Sequence, residues 1–147
     1  MQYGKYGKPY LKDVYFNLSH SGNYAICALS EREIGCDIQK IKPINRRLLQ
    51  KCYSLSEQRY VLQPNNEKEQ EERYISIWTL KESYLKKRGL GLTKKLDDIS
   101  FDIKDEKIVV WDEGCKRQER FQLLDYEGYR IALCGEEDSL EMKCFSL

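Results

Sequence analysis

The run 69–88 constrains the fold of this chain more than any other segment. Tyr74, Ile77, Trp78, Leu80, Lys81, Tyr84 and Leu85 recur at the helical period within it, and Gly89 stands where a helix should stop. A helix with so strong an apolar face needs a surface to pack on, and the flanking segments supply short strand-like runs. These cover residues 14–17, 23–30 and 34–39 before the helix. After it they cover 99–103, 107–111, 120–124, 129–134 and 142–145. Gly35 lies inside one of them, where the lack of a side chain lets another backbone approach closely. Residues 19–22 read as a polar turn or helix start, and the first dozen residues, interrupted by Pro9, as loop. Between 44 and 63 the spacing of Leu48, Leu49, Cys52, Tyr53, Tyr60 and Val61 suggests two short helices, with Ser54 and Ser56 as candidate caps and Pro64, Asn65 and Asn66 as the break that follows. A helix-bearing front and a strand-rich back give an α+β class.

Composition narrows the function classes. The chain has 147 residues, 25 Lys and Arg against 24 Asp and Glu, and a net charge of +1. That length suits one domain, and a near-neutral balance without a basic stripe excludes a dedicated nucleic-acid binder, which would need clustered cations against phosphates. The longest apolar stretches, 25–29 and 108–111, fall far short of the ~20 residues needed to cross a bilayer, and residues 1–3 do not open a signal peptide. A soluble cytoplasmic protein with no membrane partner is expected. The 6 cysteines (Cys27, Cys36, Cys52, Cys115, Cys134 and Cys144) form no CxxC pair, and His20 is the one histidine, so reduced thiols are expected rather than disulfides or zinc.

Three places carry residues suited to chemistry. Asp37 sits inside an otherwise apolar strand, where a metal, a cationic partner, a backbone amide or solvent must compensate its charge. Glu82 falls on the same side of the helix as Trp78 and Lys86, either as a surface ion pair or as a carboxylate emerging among packing residues. If Asp37 and Glu82 converge, two carboxylates with lysines nearby make an oxygen-ligand site suited to Mg²⁺ facing phosphate. Ser19, His20, Ser21 and Gly22 offer hydroxyls, an imidazole and a free backbone, a set that either holds a phosphate or is merely structural. The loop of Gly7, Lys8 and Pro9 is a weaker signal of the same kind.

Taken in order, Gly7-Lys8-Pro9, Phe16-Asn17-Leu18-Ser19-His20-Ser21-Gly22, Ile34-Gly35-Cys36-Asp37-Ile38, and Trp78-Thr79-Leu80-Lys81-Glu82-Ser83-Tyr84-Leu85-Lys86 followed by Gly89-Leu90-Gly91-Leu92 resemble the 4′-phosphopantetheinyl transferases, in their surfactin-synthetase-activating branch. The resemblance implies a transferase-like lobe with a small antiparallel sheet packed against a long helix. It also implies Mg²⁺-dependent transfer of 4′-phosphopantetheine from coenzyme A to a serine of an apo acyl or peptidyl carrier protein. On this likeness Asp37 and Glu82 are metal ligands, with Glu82 also the base for the attacking serine. Lys86 neutralises the pyrophosphate with Lys81 assisting, His20 and Ser19 hold the 3′-phosphate, and Lys8 borders the adenine nucleotide. Residues 40–45 and the helix after them correspond to the surface that receives the carrier protein.

Two departures carry consequences. Gln39 stands where many members of the branch have an acidic residue, so it is expected to ligate through its amide oxygen, directly or through a metal-bound water, and to supply no charge. Against a family of two similar lobes, residues 1–31 resemble only the tail of a first lobe and 32–147 a complete second one. A homo-oligomer or a separate polypeptide would then complete the site. A non-catalytic remnant that binds coenzyme A or the carrier protein is the alternative.

Overall fold

The computed structural model describes residues 2–136 apart from Tyr6, Lys8 and Leu11. Lys8, Cys144 and the strand expected at 142–145 therefore lie outside the described residues. Two short strands, β1 (Gln2–Tyr3) and β2 (Pro9–Tyr10), pair with each other where only loop was expected. β3 (Tyr15–Ser21) and β4 (Tyr24–Ser30) form an antiparallel hairpin, followed by β5 (Gly35–Lys40), α1 (Arg46–Cys52), α2 (Leu55–Leu62) and α3 (Glu67–Arg88). Turns of 3₁₀ type at Gly91–Thr93 and Leu96–Asp98 lead into β6 (Ile99–Lys104), β7 (Lys107–Asp112), β8 (Cys115–Lys116), β9 (Arg120–Tyr126) and β10 (Tyr129–Gly135). One antiparallel sheet has the order β5-β10-β9 and another β6-β7-β8, so the α+β class holds.

The helix that dominates the sequence dominates the structure. α3 begins at an Asn66 cap whose side chain accepts from the Lys68 amide at 2.9 Å, two residues before the expected start. It ends at Gly89, whose φ of 66° permits the left-handed cap that returns its amide to the last carbonyls. Tyr74, Ile75, Ile77, Leu80, Tyr84 and Leu85 of α3 fill the main core against Leu49, Tyr53 and Val61 on one side and Ile99, Phe101, Val110, Ala132 and Cys134 on the other. Ser54 caps α2 in a reciprocal box, its hydroxyl accepting from the Glu57 amide while Glu57 accepts from the Ser54 amide. Ser56, the other candidate cap, instead bonds the Ser54 hydroxyl.

α3 lies directly on β5. A Cβ at Gly35 would stand 2.0 Å from the Ser83 carbonyl oxygen and 2.4 Å from the Lys87 nitrogen, so only glycine allows this approach. β5 is the edge of its sheet, and its outward amides are met by side chains of β3 rather than by a main-chain ladder. Asn17 Oδ1 accepts from Cys36 N at 2.8 Å, Ser19 Oγ from Ile38 N at 3.1 Å and Ser21 Oγ from Lys40 N at 3.0 Å. This polar row corrects the expected turn at 19–22: Ser19, His20 and Ser21 are strand, and the chain turns at Gly22 and Asn23. The residues alternate across the strand, which disguised it as a polar break.

Among the described residues, Cys27, Cys36, Cys52 and Cys115 form no disulfide. No helix among the described residues is long and apolar enough to cross a membrane.

Candidate functional site

Asp37, Glu82 and Lys86 meet where α3 crosses β5. Gly35, Asp37 and Gln39 share the face of β5 turned toward the helix, and Glu82 and Lys86 are one helical turn apart. The Asp37 side chain is 3% exposed and ion-paired to Lys86, with Nζ 2.9 Å from Oδ1. The same oxygen accepts from the Ser19 hydroxyl at 2.8 Å, and Oδ2 accepts from the Gln39 amide nitrogen at 2.9 Å. Lys86 also reaches the Leu18 carbonyl oxygen at 3.4 Å, which ties α3 to β3 as well as to β5.

Glu82 is half-buried beside this pair. Among the described residues no hydrogen bond or ion pair engages its carboxylate. Burial raises its pKa, the Asp37 charge raises it further, and Lys86 partly offsets both. A carboxylate whose pKa is raised and which is left without a partner among the described residues is equipped to accept a proton.

Lys81 is not brought to this cluster. Its side chain is fully buried on another face of α3, where Nζ lies 2.8 Å from Glu57 Oε2 and donates to the carbonyl oxygens of Cys52, Leu96 and Ile99 at 2.9, 2.8 and 2.6 Å. Burial lowers its pKa, with Glu57 working in the opposite direction. With its ammonium surrounded by acceptors, Lys81 joins α1, α2, α3 and the start of β6. Glu57 completes the knot by accepting from the Phe101 amide at 2.8 Å. Ser19, expected to hold phosphate with His20, is buried and committed to Asp37 and the Ile38 amide, whereas His20 is exposed on the opposite face of β3.

Ser19 as the support of Asp37, and Glu57 as the partner of Lys81, were the roles that sequence reasoning missed. The alternation Asn17, Ser19, Ser21 opposite an apolar strand, and the serine-to-glutamate capping spacing at 54 and 57, are the signals that point to them.

Among the described residues no group of three or more His, Cys, Asp or Glu side chains gathers in metal-ligand fashion. Asp37 and Glu82 still fit Mg²⁺, which takes one or two carboxylates and completes its shell with phosphate and water. A cation between them would offset the repulsion that raises the Glu82 pKa. Gln39 turns its amide nitrogen to Asp37 Oδ2, and its oxygen, the atom expected to ligate, is not used in that bond.

Residues 33–134 match the 4′-phosphopantetheinyl transferase superfamily. The chain is 34% identical to a 4′-phosphopantetheinyl transferase of Bacillus subtilis over 96% of its own length and 66% of that protein's. It is also 34% identical to 4′-phosphopantetheinyl transferase Sfp of Bacillus subtilis strain 168, over 91% of this chain and 60% of that one. It thus spans about two thirds or less of the length of these curated relatives. In structure it resembles a holo-(acyl-carrier-protein) synthase from Bacillus anthracis solved in complex with CoA (3′,5′-ADP), with a TM-score of 0.56 and 17% identity over 69% of this chain and 92% of that one. That likeness extends to the fold.

Proposed function

Because the chain belongs to the 4′-phosphopantetheinyl transferase superfamily, we propose that it transfers 4′-phosphopantetheine from coenzyme A to a serine hydroxyl of an apo acyl or peptidyl carrier protein. The observation that carries this reading is the meeting of Asp37, Glu82 and Lys86, from β5 and α3, around one buried carboxylate. The carrier serine oxygen attacks the phosphorus bearing pantetheine, the bond to the bridging pyrophosphate oxygen breaks, and adenosine 3′,5′-bisphosphate leaves. Glu82, half-buried and unpaired among the described residues, takes the serine proton. Lys86, 29% exposed, turns its ammonium toward the pyrophosphate as negative charge moves onto the leaving group. Asp37 and Glu82 would hold Mg²⁺, which when bound supplies positive charge against the pyrophosphate. Ser19 keeps Asp37 oriented, and exposed His20 is the candidate for the 3′-phosphate. Lys81 supports the helix from behind. Residues 40–45 and α1 after them, with Lys42 and Pro43 exposed, are the candidate surface for the carrier protein. Free thiols support a reducing, cytoplasmic setting.

The second reading is a role in binding coenzyme A or the carrier protein without turnover. Incubation with apo carrier protein, coenzyme A and Mg²⁺, read by intact mass, separates the two. Addition of phosphopantetheine, abolished in Glu82→Ala, is the expected outcome. Retained coenzyme A binding with no addition would leave the binding role.

A further inference from the structure

Both oxygens of Asp37 already have donors, and the donors differ in kind. The Ser19 hydroxyl is fixed, since its oxygen also receives the Ile38 amide, and the Gln39 amide is neutral. Lys86 alone carries a full positive charge. Its Nζ sits 2.9 Å from Oδ1 at the end of a side chain 29% exposed, long enough to swing away. A divalent cation approaching Asp37 meets that ammonium at the same carboxylate. Two positive centres a few ångströms apart in a half-buried site repel strongly, so they exclude one another. Gln39 adds no charge that would tip the balance toward the divalent ion.

We propose that Lys86 is the internal counter-ion of Asp37 and holds the cation position closed until a polyphosphate draws its ammonium away. Divalent cation and pyrophosphate-bearing nucleotide then bind as a coupled pair, each tightening the other by the same factor, as linkage requires. This rests on the reading of Asp37 and Glu82 as the cation-holding carboxylates. It assigns Lys86 a second duty, to hold Asp37 in the free protein, beside its duty toward phosphate in the complex.

Titration calorimetry with Mg²⁺ alone, then with Mg²⁺ at saturating coenzyme A, tests the coupling in wild type, Lys86→Met and Lys86→Arg, with the transfer assay run on wild type in parallel. Thermal melts establish that each variant is folded. Wild type should bind Mg²⁺ about tenfold more tightly with coenzyme A than without it. Lys86→Met should bind Mg²⁺ alone about tenfold more tightly than wild type and gain less from coenzyme A than wild type does, while Lys86→Arg, which keeps the charge, should resemble wild type. Wild type that transfers phosphopantetheine, together with Lys86→Met that binds Mg²⁺ no more tightly than wild type, overturns this inference and leaves the proposed function standing. Wild type that neither binds Mg²⁺ with coenzyme A nor transfers overturns both.

Discussion

Glu82 holds its charge in an unfavourable place, and that sets a measurable sign. Its pKa is raised, first by burial and then by Asp37, so the folded protein binds this proton at a higher pH than the unfolded chain does. Stability from this group is therefore fully present below the ordinary glutamate pKa of ~4.3, falls as pH rises toward the raised value, and stays reduced above it. Glu82→Gln should then melt higher than wild type at pH 8, by roughly 1–4 °C, and lose that advantage near pH 4, while transfer is lost throughout. A melting advantage that is absent at pH 8 would contradict the placement of Glu82 beside Asp37. Asp37, Glu82 and Lys86 were legible in the sequence because a carboxylate in an apolar strand and a charged pair one turn apart on an amphipathic helix are local patterns. Ser19 was not, because its neighbour His20 points to the opposite face, and two adjacent polar residues read as a turn when they are the two sides of one strand.

Among the elements, α3 was readable to within two residues because its period and its terminal glycine agree. How it is held was not readable, because its supports come from distant segments. Lys81 stands among core residues in the helical pattern, and its partners Glu57, Cys52, Leu96 and Ile99 belong to α1, α2 and the approach to β6. Lys81→Met would strand the Glu57 carboxylate and uncover three carbonyl acceptors, at a loss of about 3–5 kcal/mol in urea unfolding. Adding Glu57→Gln should recover part of that loss, because a neutral amide removes the stranded charge and its one oxygen can still accept from the Phe101 amide. If Lys81 instead acted at the pyrophosphate, the single variant would lose transfer without losing stability. Gly35 does the corresponding work at the active end of the helix, and its meaning was legible beforehand because a glycine inside a strand pattern marks close backbone approach.

Across the whole molecule, the hairpin of β3 and β4 and the sheet of β5, β10 and β9 are separate sheets held side by side. Since Cys36, Ile38 and Lys40 turn their amides toward β3, those of Asp37 and Gln39 point to β10. The two sets should differ in hydrogen exchange. Amides of Cys36, Ile38 and Lys40 should exchange whenever the hairpin lifts, and those of Asp37 and Gln39 only when the sheet opens, a difference of at least tenfold in protection. Equal protection would mean that hairpin and sheet open as one unit. The turn at Gly22 adds a second fastening, with the Asn23 amide donating to the Tyr129 hydroxyl at 3.3 Å and Tyr24 packed edge-on to Tyr126 and Tyr129. A main-chain ladder is indifferent to which residues compose it, but the joint at β5 is spelled out by Asn17, Ser19 and Ser21. Its strength is thus written one residue at a time. A point substitution can loosen or tighten the seam that holds Asp37 in place while leaving the hydrogen-bonded frame on either side intact.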